Sequence, residues 1–168
     1  MSMPKQEFYE AVSLVGRFYG IWSTFEVLVE VAIAKTLDID FEKANLLLGG
    51  LGTKRKTSIL KSALHLKGKH DAIELIKDIV SDAKRNSIAH GIIGHRRKGE
   101  ELSFLFRDSD DKFRAREYVF SKEEMFHHCK DLLGEIADLQ SELGLNDAML
   151  AEYSKAAESL SAKSETLT

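Results

Sequence analysis

The sequence predicts a mainly α protein, an antiparallel helical bundle with a small β-meander inserted after one of its later helices. Apolar residues recur at helical spacing through most of the chain. Between Ile92 and Phe120 the period drops to two, and Gly and Asp clusters interrupt it. The only proline, Pro4, stands where a first helix can begin, since its missing N–H costs nothing there. With 168 residues, 43% of them hydrophobic and 30% charged, the composition is that of a folded domain. One helical domain is expected over residues 1–145, followed by a helical extension and flexible tail over 146–168.

The first helix is read from Phe8, Val12, Val15, Phe18, Tyr19, Trp22, Phe25, Val29, Ala32, Ile33 and Leu37, with a bend allowed near Gly16 or Gly20. Asp40 can cap a short helix over Phe41–Leu48, stopped by Gly49-Gly50. Thr53 is the expected cap of a helix reaching about Lys67, with Gly68 after it. The next helix is expected to run from about His70 to His90, with Ile73, Ile76, Val80, Ala83 and Ser87 on one side and Gly91 as its stop. Strands are expected at Ile92–Arg97, Glu101–Phe106 and Arg114–Phe120. Ser121-Lys122-Glu123-Glu124 is a capping box, in which hydroxyl and carboxylate satisfy each other's orphan amides. It opens a helix through Met125, Phe126, Cys129, Leu132, Leu133, Ile136, Leu139 and Leu143 that Gly144 ends. Asn146 can cap a last segment, Ala148–Leu160, before a tail read as disordered.

The net charge of −3 hides an asymmetry. Lys54–Lys98 holds 12 Lys/Arg against 4 Asp/Glu, whereas Ser121–Thr168 holds 4 against 10. The middle of the chain suits a polyanion, and the acidic end suits solvent or a partner. Cys129 is the single cysteine, so no internal disulfide forms, and a reduced core thiol in a cytoplasmic protein is expected. The residues after Pro4 are too polar for a secretory leader, and Glu26, Glu30 and Lys35 interrupt the most apolar stretch, so no membrane partner is expected. No phosphate-binding glycine loop or zinc motif is present, and no cofactor or metal is called for. His127 and His128 are adjacent, diverge by about 100° on a helix, and are read as surface or partner-facing.

Arg85-Asn86-Ser87-Ile88-Ala89-His90-Gly91 gathers a permanent cation, an amide and an imidazole near a helix end. Asn86 and His90 are spaced i, i+4 and continue the line of Ile79 and Ala83. Arg85 and His90 stand about 140° apart on an ideal helix. They converge if the helix unwinds at Gly91, if the arginine wraps round, or if a second subunit completes the site. A purely structural reading stays open: an ion pair of Arg85 with Asp82 or Asp78, His90 on the helix dipole, and Asn86 as a buried amide.

This string, at the end of a helix in a helical frame over residues 8 to 143, resembles the R-x4-6-H signature of HEPN domains. Some members carry a β insertion at this point, and the segment from Ala148 matches nothing in the family pattern. The resemblance implies metal-independent cleavage of RNA at a symmetric homodimer interface, often in toxin–antitoxin or phage-defence systems, with a protein antitoxin or regulator as a further partner. It makes Arg85 and His90 the catalytic pair and Asn86 the residue that orients the site. Lys84, Arg96, Arg97, Lys98, Lys54, Arg55 and Lys56 are the candidate RNA track. Phe18, Tyr19, Trp22 and Phe25 add an aromatic surplus that also argues for a second copy. Two alternatives remain: a non-catalytic HEPN-like dimer that binds RNA, a nucleotide or a protein, and an interaction module that uses the acidic C-terminal helices.

Overall fold

Helix α1 spans Lys5–Leu37, α2 Phe41–Leu48, α3 Thr53–Leu66, α4 His70–Asp82 and α5 Arg85–His90. Strands β1 (Ile92–His95), β2 (Glu101–Arg107) and β3 (Ala115–Ser121) follow, then helices α6 (Lys122–Glu142) and α7 (Asp147–Glu165). The computed structural model describes residues 5–90, 92–95, 101–107 and 115–165, and it is mainly helical. The strands form one antiparallel sheet in the order β1-β2-β3, with Phe104 opposite both Ile93 and Tyr118.

The chain divides into two compact units, Met1–Trp22 with Val80–Gly134, and Ser23–Ile79 with Glu135–Thr168. Helix α7 packs on α2 within the second unit. Tyr153 of α7 is buried, sets its ring edge-on to Phe41 at 5.5 Å, and accepts the Asn45 amide on its carbonyl at 3.3 Å. Helix α7 also continues to Glu165, so the part of the expected disordered tail up to that residue is helix, and the rest lies outside the described residues.

In the second unit every residue of α1 from Leu28 to Ala34 is buried, and all of them but Glu30 are apolar. The charged residues that interrupt it each have a partner. Glu26 accepts the Thr53 hydroxyl, and Glu30 holds the Lys56 ammonium. Lys35 donates to the carbonyls of Leu143 and Gly144 at 3.1 and 2.7 Å, next to the α6 terminus. Thr53 is therefore not the cap of α3: Gly52 takes that position without a side-chain bond. Asp40 does cap α2, accepting the Lys43 N–H at 2.9 Å. Gly68 and Gly144 close α3 and α6 at φ 69° and 61°, and the amides of Lys69 and Leu145 reach back to Leu64 and Gln140 at 3.0 Å.

The first unit takes its core from Phe18, Ile21, Trp22, Ala83, Met125, Cys129 and Leu132. The capping box forms: Ser121 N–H donates to Glu124 at 2.7 Å, and Glu124 N–H donates to the Ser121 hydroxyl at 3.0 Å. Of the four aromatics read as a dimer signal, Phe18, Trp22 and Phe25 are buried and Tyr19 is exposed. Large apolar side chains left exposed in this unit include Phe8, Tyr9, Val12, Tyr19, Phe126 and Leu133.

Candidate functional site

The expected helix from His70 to His90 is two helices, α4 and α5, separated at Ala83 and Lys84. Lys84 adopts φ 46°, a left-handed conformation that costs a residue with a Cβ about 1–2 kcal/mol. Its surroundings hold it there. The buried Ala83 leaves a carbonyl that accepts from His128 Nε2 at 3.2 Å. A carbonyl can only accept, so this bond puts the ring proton on Nε2. The imidazole contacts Phe18, nearly parallel at 6.0 Å, and Phe120, tilted at 5.7 Å. The Lys84 ammonium stands over the Phe120 ring at 5.8 Å, and the Lys84 carbonyl accepts the Ile88 N–H at 3.1 Å, which starts α5.

The break ends the continuous run of helix on which Asn86 was expected to follow Ala83: Ala83 is buried and Asn86 is exposed. Helix α5 lies against β2 and is anchored by buried Ser87 and Ile88. Arg85 opens it, half-buried. Its Nη1 donates to Asn86 Oδ1 at 3.3 Å, and its buried Nε meets no acceptor among the described residues. No ion pair links Arg85 to Asp82 among the described residues, because the i+3 spacing brings side chains together only along an unbroken helix. Asn86 is exposed, not a buried amide. His90 closes α5, and its side chain lies outside the described residues, as do Gly91, Arg96, Arg97 and Lys98.

Of the remaining basic candidates, Lys84 is engaged with Phe120, while Lys54 and Arg55 are exposed on α3 in the second unit. Lys56 does not belong with them: it is buried, and its ammonium is paired with Glu30. Reading it as an RNA contact is corrected by that pairing.

His128 is the site residue the sequence reasoning missed. His127 is exposed near Glu123, but His128 falls three residues after Met125 and four before Leu132, on the buried line of α6. That spacing was the available signal. Lys122 pairs with Glu10 and holds its carboxyl below the usual range, tying the start of α6 to α1 within the same unit. Cys129 is fully buried, and burial pushes its thiol up. No cluster of three metal-ligating side chains occurs among the described residues.

Chemically, the arrangement offers a planar guanidinium oriented by a neighbouring amide, with N–H groups left for an anion. No protein-family model, curated protein or solved structure matches the chain.

Proposed function

We propose that this protein is a metal-independent endoribonuclease of the HEPN kind, with Arg85 and His90 as its catalytic pair and a HEPN-type bundle carrying the sheet as an insertion. The observation that carries the reading is the state of Arg85. Its guanidinium is oriented by Asn86 and keeps a buried Nε–H without an acceptor among the described residues. A phosphate oxygen would satisfy that donor.

RNA supplies its own nucleophile. The 2′-oxygen attacks the adjacent phosphorus and forms a 2′-O–P bond, while the P–O5′ bond breaks. One His90 takes the 2′-hydroxyl proton, and His90 of a second copy gives a proton to the departing 5′-oxygen. Arg85 stabilises the charge that grows on the phosphoryl oxygens. The products are a 2′,3′-cyclic phosphate and a 5′-hydroxyl. The homodimer belongs to this proposal, supported by the exposed Phe8, Tyr9, Val12, Tyr19 and Phe126 in the unit that holds α5. A toxin or phage-defence role with a protein regulator follows from the same resemblance, and the single cysteine supports a cytoplasmic setting.

Incubation of the chain with RNA in EDTA tests the reading. Cleavage is expected to leave cyclic-phosphate ends and to fall about 10²–10⁴-fold in His90→Ala and in Arg85→Ala. Equal cleavage by wild type and His90→Ala, or none by any of them, overturns it. In the latter case a non-catalytic binding module is the reading that stands.

A further inference from the structure

Within the second unit, α3 and α4 form a groove of about 530 Å³ that is separate from the Arg85 segment. Its walls are unusual in their charge. Helix α3 contains no Asp or Glu in its 14 residues, and it lines the groove with Ser58, Lys61, Ser62 and His65. These four lie within about 100° of one another around the helix axis, and Lys54 extends the same stripe one turn toward the N-terminus. From Lys54 to His65 the stripe is about 16 Å long, enough for several consecutive phosphates.

The groups are available as well as aligned. Among the described residues no carboxylate pairs with Lys54, Arg55 or Lys61, and neither Ser58 nor Ser62 spends its hydroxyl on the helix backbone. Thr57 shows the contrast, since its hydroxyl donates to the Thr53 carbonyl at 2.9 Å. Helix α4 contributes Ile73 and Lys77, and Lys77 is already bound to Glu74 at 2.6 Å. The groove therefore carries net positive charge from α3 with only one internal neutralisation.

The far end differs in kind. His65 packs edge-on against His70 with ring centroids 5.7 Å apart, and Leu66 beside them is 84% exposed. A cationic and hydroxylated track that ends on exposed imidazole and aliphatic surface matches a chain of phosphates carrying unpaired bases. A duplex would keep its bases away from such a platform.

We propose that the α3–α4 groove binds single-stranded nucleic acid, with the sugar-phosphate backbone along Lys54, Ser58, Lys61 and Ser62 and a base stacked at His65. The proposal concerns a site other than Arg85 and His90 and does not depend on cleavage.

Fluorescence anisotropy with a short labelled single-stranded RNA tests it, on the full chain carrying His90→Ala so that cleavage plays no part. Lys61→Ala is expected to weaken binding several-fold and to reduce the salt dependence of log K by about 0.7, one phosphate contact. His65→Ala is expected to weaken binding at high salt as well as low, since stacking is not screened. Lys155→Ala, an equal charge change on exposed surface of α7, is expected to leave binding unchanged. The proposal is overturned if Lys61→Ala and Lys155→Ala behave alike, if duplex RNA binds as tightly as the single strand, or if only free nucleotide binds. Because every arm reads binding, a failed cleavage assay and a failed groove are separate results.

Discussion

Glu30, Lys56 and Tyr153 bring three polar groups into the interior of the second unit. The ion pair neutralises two of them, while the Tyr153 hydroxyl is buried and meets no acceptor in hydrogen-bond geometry among the described residues. Burial, and then the neighbouring Glu30 carboxylate, push that phenol well above its usual range. Lys56→Ala would leave Glu30 as a lone buried charge and is expected to lower stability by about 3–5 kcal/mol in denaturant titrations. Tyr153→Phe removes only the unsatisfied hydroxyl and is expected to change stability by less than about 1 kcal/mol. Asp40 shows the opposite, exposed case. The side chain and backbone amide of Lys43 hold its carboxyl below the usual range, so its support of α2 is complete above the ordinary carboxyl pKa and is lost as pH falls through the lowered one. Asp40→Asn, which can still cap, is expected to give a shallower acid limb in a thermal-stability profile below about pH 4. Asp40 was legible in the sequence because its partner is three residues away. Lys56 was not, because the carboxylate that claims it lies 26 residues away on another helix.

At the level of elements, what was written locally was readable. The Ser121–Glu124 box and the glycine stops at 68 and 144 involve neighbours within a few residues, and the helices end where those signals stand. The break between α4 and α5 carries no such punctuation, since Ala83 and Lys84 are both ordinary helix formers. It is made by tertiary contacts, chiefly the imidazole that binds the Ala83 carbonyl and the ring beneath Lys84. Two substitutions separate those causes. Lys84→Gly relieves the left-handed strain and is expected to hold or raise stability by up to about 1 kcal/mol. His128→Phe keeps the ring contacts with Phe18 and Phe120 but strands the carbonyl, and is expected to cost about 1–3 kcal/mol. Arg85 takes its place at the head of a separate short helix for the same reason. The motif was visible in the string, but the environment of its arginine was not.

For the whole chain, one of the middle's cations, Lys56, is hidden with Glu30, so a count along the sequence overstates what a polyanion meets. No helix among the described residues is long and apolar enough to cross a membrane. A homodimer is expected to elute and scatter light as two chains, and Tyr19→Glu with Phe126→Glu is expected to return it to one. Unchanged mass in that variant would move the contact away from this surface. The placement of Cys129 bears on how two copies would be joined. As the chain's only sulfhydryl, it is sealed from solvent, and that burial disfavours its thiolate. Oxidants therefore find no thiolate to attack while the fold is intact. Any pairing of copies must then rest on noncovalent contact alone, indifferent to the redox state of its surroundings.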